Sequence, residues 1–453
     1  VVAGFDLTRC ASFVLGVLAL GACSRPSSSP AETKGEAEAA AANGIELEDD
    51  PRAYVTSAAY RRAILERDLV DREPIYARVR LRHYSRDDER GWDRRPILDW
   101  PTLPLTVEQA AGIAVTKRLP EPEFGPPLSA AYGSEEEPKL PASREEWVAL
   151  GERVFFEYPM TVAPVVGRAL RDGVDLRDYG LLVHEGAYVG VRLASVRGHT
   201  RVVVTCATCH ASIGVDGRPS GVRANRSYDL GRLRLEHGGA HEVQLVDATR
   251  AEDLARLGPG RSDVQRDDAF NPYAFPDFGG IADLPYLHHT ANWYHRGVAS
   301  LAIRIETVFM SRGRNRSRPP RALMWALAEY LHSLPPPPPV TEPSPASERG
   351  RRVFEAEGCG ECHTPPLYTS DARVPLDEIG TDPAAGRSPI RGTGHWRVPS
   401  LRGVGGNAPY LHHGAFSSLE EMFEPTRDEP GHRYGLDLDA SARQDLLTFL
   451  RTI

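Results

Sequence analysis

Cys206-Ala207-Thr208-Cys209-His210 and Cys359-Gly360-Glu361-Cys362-His363 are two copies of one pattern, C-x-x-C-H. The spacing has a chemical meaning. Two thiols so placed can add across the vinyl groups of a haem, and the histidine after the second thiol can coordinate the iron from one side. The residues point to two covalently attached haem c groups, one on Cys206, Cys209 and His210, the other on Cys359, Cys362 and His363. The alternative chemistry is zinc, since C-x-x-C is also half of a zinc ribbon and a histidine could complete the set. A thioredoxin-like pair fits less well, because no βαβ pattern surrounds either copy. The other two cysteines, Cys10 and Cys23, stand near the start, so no disulfide framework is left to propose.

Outward to the N-terminus, Phe13-Val14-Leu15-Gly16-Val17-Leu18-Ala19-Leu20 is an apolar run ending in Leu20-Gly21-Ala22-Cys23. This resembles a bacterial lipoprotein signal over residues 1–23, which implies a lipidated Cys23 and a membrane anchor without a spanning helix. A plain secretory signal is the alternative. Either reading exports the protein, to the periplasmic side of a bacterial membrane in the lipoprotein case, and no later segment is long and apolar enough to span a bilayer. Residues 24–50, rich in Ser, Ala, Pro and Glu, read as a flexible tether. The formal net charge is -8 with both signs interspersed, which argues against nucleic-acid binding. One basic run, Ser311 to Arg321, is read either as a solvated loop or as a docking patch for an acidic redox partner or haem propionates.

Pro335-Pro336-Pro337-Pro338-Pro339 cannot be helical, so residues 335–347 are expected to form a stiff linker. Segments flanking it are written twice. Gly151-Glu152-Arg153-Val154-Phe155 matches Gly350-Arg351-Arg352-Val353-Phe354, and Leu327 to Leu334 matches Leu446 to Ile453. A glycine and an aromatic on a first helix, facing an aromatic on a last helix, allow a close crossing over a flat apolar cofactor. The expected fold is mainly α: two tandem cytochrome c-like helical domains, 143–334 and 348–453. About fifty residues separate Phe155 from Cys206, and the β-branched stretch Leu181 to Thr205, punctuated by Gly186, Gly190 and Gly198, predicts an inserted β-hairpin or meander. Residues 51–142 are expected to be an irregular segment with one amphipathic helix around Tyr60 to Val70.

Downstream of each motif a further repeat pairs Leu284-Pro285-Tyr286-Leu287 and Trp293-Tyr294-His295-Arg296-Gly297 with Val398-Pro399-Ser400-Leu401 and Tyr410-Leu411-His412-His413-Gly414. The second set, with Arg397 and Arg402 flanking Val398–Leu401, Ala408-Pro409 before Tyr410, and Leu419-Glu420-Glu421, resembles the second half of the bacterial di-haem cytochrome c peroxidase family over roughly Ser143 to Ile453. The resemblance implies that His412 lies near the second haem and Arg402 at its edge or propionates; His413 stands where the family has Asp.

Function turns on the sixth iron ligand, because a second strong protein ligand makes an electron-transfer centre and an open position permits peroxide chemistry. For the second haem the candidates are His432, favoured because Gly431 and Gly435 let its loop approach, and Met422. For the first they are Met310, His237 and His241; a core position is the other reading of Met310. His288-His289 are read as surface or hydrogen-bonding positions. The expectation is an exported di-haem cytochrome that transfers single electrons, with a small cytochrome, a cupredoxin or a quinol-linked donor as redox partner. The alternative is a peroxidase acting at the first haem, for which Glu236, His237 and His241 are the acid–base candidates.

Overall fold

The computed structural model describes residues 47–86, 88, 90–238, 249–263, 270–312 and 317–453. Cys10, Cys23, the tether up to residue 46, His241 and residues 313–316 of the basic run lie outside them. Helix outweighs strand, the sheets are small and antiparallel, and among the described residues no helix is long and apolar enough to cross a membrane.

The N-terminal segment is more regular than its sequence predicts. Helices α1 (Pro51–Thr56), α2 (Ala58–Asp68), α3 (Ile75–His83) and α4 (Val107–Thr116) form there, preceded in the last case by strand β1 (Thr102–Thr106). Local caps start them: the Asp50 side chain accepts from Ala53 N, Ser57 from Tyr60 N, and Thr106 and Gln109 form a reciprocal capping box. Their apolar stripes are weak because charges are buried too. Glu306, fully buried, accepts from Tyr54 Oη at 2.9 Å, Tyr84 Oη at 2.6 Å and Arg321 Nε at 3.1 Å. Arg321 also pairs with Glu135 and Asp93, and Asp93 with Arg61. A pattern search for apolar periodicity misses a segment fastened by a satisfied ionic network.

Two helix crossings organise the rest. α5 (Arg144–Glu157) starts at the Ser143 cap, and Gly151 lies so close to a later helix that a Cβ there would stand 1.9 Å from the Ala326 carbonyl oxygen. Strands β2 (Thr161–Val162), β3 (Val183–His184), β4 (Ala187–Val196) and β5 (His199–Val204) follow, with α6 (Pro164–Asp172) between the first two. With β1 they make a five-stranded antiparallel sheet in the order β1-β4-β5-β2, β3 pairing with β4. The β4–β5 turn is Arg197-Gly198, both left-handed at φ 52° and 75°, the two-residue turn that matches strand twist.

The first motif forms the short helix α7 (Ala207–His210), followed by α8 (Leu230–His237), α9 (Val298–Arg312) and α10 (Arg321–Ser333). After the proline run come α11 (Pro345–Ala356), α12 (Cys359–Cys362) at the second motif, α13 (Leu419–Met422) and α14 (Ala440–Leu450). α11 crosses α14 as α5 crosses α10: a Cβ on Gly350 would stand 1.9 Å from the Asp445 carbonyl oxygen. Phe155 meets Tyr330 and Phe354 meets Phe449, each with ring centres 5.4 Å apart. The proline run is not a free spacer. Pro336 and Pro337 wall a cavity, the Pro338 carbonyl accepts from Arg223, and the following Val340 N–H bonds to the Arg451 carbonyl.

Candidate functional site

Both motif histidines are aimed by the same device. His210 Nδ1 lies 3.1 Å from the Pro276 carbonyl oxygen, and His363 Nδ1 lies 3.1 Å from that of Pro399 and 3.2 Å from that of Tyr368. A carbonyl only accepts, so Nδ1 carries the proton and Nε2 is left as the bare, ligand-competent nitrogen. Four residues beyond each proline a left-handed glycine, Gly280 or Gly403, donates to the end of the crossing helix, at Leu334 and Ile453. The structural repeat is therefore Phe275-Pro276 with Val398-Pro399, which corrects the register expected from Leu284-Pro285. The later repeat shifts with it: Pro285-Tyr286-Leu287-His288-His289 matches Pro409-Tyr410-Leu411-His412-His413, and each tyrosine bridges a following aromatic, Tyr294 or Phe416.

At the second motif the frame encloses a cavity of about 470 Å³ lined by Cys359, Cys362 and His363. Its apolar walls include Phe354, Leu401, Met422, Phe423, Leu446 and Leu450. His432 faces His363 across it with ring centres 6.4 Å apart. Left-handed backbone at Gly431 and His432 brings that loop in, where the His432 N–H donates to the Ile379 carbonyl at 2.8 Å; a Cβ on Gly431 would strike Thr381. His432 Nδ1 is buried with no hydrogen-bond partner. Burial, then the neighbouring His363, pushes its imidazole down to about 4, so it stays neutral and able to donate a lone pair. Burial also lifts the Cys359 thiol to about 11 and raises that of Cys362.

The first motif docks onto the sheet. Thr208 Oγ1 donates to the Gly190 carbonyl at 2.7 Å, and a Cβ on Gly190 would stand 2.3 Å from Thr208 N, so β4 can carry the motif helix only with glycine there. The His210 ring stacks on Phe278 at 4.4 Å, with Phe275 at 6.1 Å. Burial pushes the Cys206 thiol to about 12, and Cys209 packs against a second apolar cluster that holds Phe275 and Tyr228.

The remaining expected site residues are placed as follows. Met310 is 2% exposed in the main core on α9, the packing of a core methionine. Glu236 and His237 end α8 in a hydrogen-bonded chain: Tyr179 Oη reaches Glu236 Oε2 and lies 3.0 Å from His237 Nε2, while His237 Nδ1 lies 2.7 Å from Asp172. Arg402 lines the cavity, but its guanidinium is paired with Asp283 at 2.6 Å. His412 lines the cavity stacked on Trp396 at 4.3 Å. His288 is buried with its Nδ1 2.9 Å from Thr290 Oγ1, one of the hydrogen-bonding positions expected for this pair, and His289 lines the cavity. Sequence reasoning passed over Arg397, His289 and Trp396 as cavity residues; the repeated Pro-Tyr-Leu-His-His was the signal that could have found His289.

No family model matches the chain, and no curated protein matches it. Among solved structures, hydrazine synthase of Kuenenia stuttgartiensis is similar at 17% identity and a TM-score of 0.33, covering 43% of this chain and 76% of that one. A MauG-like protein associated with microbial copper homeostasis is similar at 15% identity and a TM-score of 0.35, covering 69% and 90%. Likenesses at these scores carry no argument about this chain, whose reading rests on its own residues.

Proposed function

We propose that the protein is an exported di-haem c-type cytochrome whose function is one-electron transfer, with Cys206, Cys209 and His210 holding one haem and Cys359, Cys362 and His363 the other. The observation that carries the reading is the pair His363 and His432. A metal bonded to both rings at about 2 Å per bond would hold their centres about 6 Å apart, and they stand 6.4 Å apart across an apolar-walled cavity. The residues present therefore fit the group: two thiols on one wall, a bare Nε2 aimed by two carbonyls, and an opposed neutral imidazole that no protein group satisfies. When bound, a haem supplies a reversible one-electron couple. The chain's own part would be to attach the haem through Cys359 and Cys362, to exclude water with Phe354, Phe423 and Leu446, and to hold its iron with His363 and His432.

Export and a lipid anchor at Cys23 belong to the same proposal, with a small electron-transfer protein or a quinol-linked donor as partner. The test is the visible and low-temperature EPR spectrum of protein made in a host that attaches haem c. Two covalent haems per chain, with the second iron low-spin both oxidised and half-reduced, is the expected result. A high-spin ferric signal on half-reduction, with peroxide turnover, would replace it by the peroxidase reading.

A further inference from the structure

The cavity at the second motif also has polar lining that attachment through Cys359 and Cys362 does not use. Arg397 lies there on the strand His395–Arg397. It donates to the Tyr286 carbonyl at 2.8 Å, but its Nε is buried without a partner and it makes no ion pair among the described residues. Arg226 and Arg402 line the same cavity already paired, with Asp277 at 2.8 Å and Asp283 at 2.6 Å. Arg397 is thus the unbalanced charge.

His289 and His412 line the same cavity, their rings 5.6 and 6.1 Å from that of Tyr273, and neither imidazole makes a hydrogen bond among the described residues. Burial keeps both neutral, His289 down to about 3 and His412 well below the usual histidine value. Each then offers one N–H donor. Positive charge accumulates around the neighbouring His288 as well, which burial first and then Arg391, Arg304 and Arg397 hold neutral. A buried guanidinium without a counter-charge is strongly unfavourable, and its planar fork fits an edge of two oxygens on one atom.

We propose that Arg397, in a cavity it lines together with the imidazoles of His289 and His412, is a binding site for a carboxylate or similar planar oxyanion. The ligand is either a carboxylate carried by the cofactor, which rests on the haem reading above, or a small free carboxylate, which does not.

The experiment compares wild type with Arg397→Gln and Arg397→Lys, the lysine variant keeping the charge should the glutamine variant fold poorly. Covalent haem is counted first, from the absorbance of denatured protein. Midpoint potentials are then read by spectroelectrochemistry with and without acetate. A cofactor-borne ligand gives a lower potential for the second centre in R397Q, partly restored in R397K, and no response to acetate. A free ligand gives a saturable acetate-dependent spectral change in wild type, weakened about tenfold or more in R397Q. Full haem content with unchanged potentials and no acetate response in any variant overturns the site while leaving the haem reading intact. Absence of covalent haem overturns the haem reading, and calorimetric titration of that chain with acetate then decides the site: binding lost in R397Q supports it, and no binding overturns it.

Discussion

Around Cys359–His363 the helix pair α11 and α14 encloses a cavity with a second histidine opposite the first, whereas around Cys206–His210 the motif histidine is stacked on Phe278 and flanked by Phe275. The backbone frames match: crossing glycine, proline carbonyl on Nδ1, left-handed glycine. In that common register Phe275 and Phe278 correspond to Val398 and Leu401, so the same frame carries aromatic rings in one copy and aliphatic side chains in the other. The first copy also spends an inserted sheet to carry its motif, through the contact at Gly190. The two copies share what aims the histidine and differ in what fills the volume around it.

The largest effect expected to test this comparison is the loss of a whole centre. Replacing Cys359 and Cys362 by alanine should halve covalent haem per chain and leave the first centre's spectrum in place; loss of both centres would mean that the two regions do not mature independently. Next, His432→Ala should convert the second centre's low-spin ferric EPR signal to high-spin while the first is unchanged. An unaltered spectrum would remove His432 as the opposed ligand and with it the main difference between the regions.

The shared frame makes a symmetrical prediction. Gly151→Ala and Gly350→Ala each force a methyl group onto a carbonyl oxygen of the crossing helix, and each should lower unfolding stability by about 3 kcal/mol, read by urea denaturation. Unequal losses would show that one crossing relaxes more easily. A pH effect is expected from a histidine pair in the first region. His295 Nε2 and His332 Nε2 lie 2.8 Å apart, and burial lowers both to about 4. The folded chain keeps them neutral where the unfolded chain, at about 6.5, takes up protons, so stability present above pH 6.5 is lost as pH falls toward 4, by up to about 3 kcal/mol for each imidazole. His332→Gln should flatten that slope in pH-dependent denaturation, and an unchanged slope would move its cause elsewhere. The smallest effect is expected at the Arg349–Asp445 pair on the second crossing, whose arginine is half exposed and whose aspartate is buried, where Arg349→Gln should lower the denaturation midpoint only slightly.

Much of this was legible in the sequence for a definite reason. The two C-x-x-C-H motifs, Cys206–His210 and Cys359–His363, are visible because their spacing is fixed, and close crossings need small residues, so Gly151 and Gly350 stand out too. The loop glycine beside His432 marked a segment able to approach the cofactor face. The ionic fastening of residues 51–142 was not legible, because Arg61, Arg321 and Glu306 read as surface charges until their partners, far away in sequence, are brought to them. The repeat register was misread for a related reason: Leu284-Pro285 looks like Val398-Pro399, but the carbonyl that reaches the histidine belongs to Pro276.

By itself the sequence determined the paired C-x-x-C-H motifs, the repeated helix crossing and the hairpin, since each depends on residues whose spacing along the chain is short and chemically constrained. Only the tertiary structure decided that His432 stands opposite His363, that Arg402 is already neutralised by Asp283, and that Arg397 is left without a counter-charge. Charge balance and ligand opposition are properties of distance in space, and the groups concerned lie tens to more than a hundred residues apart along the chain.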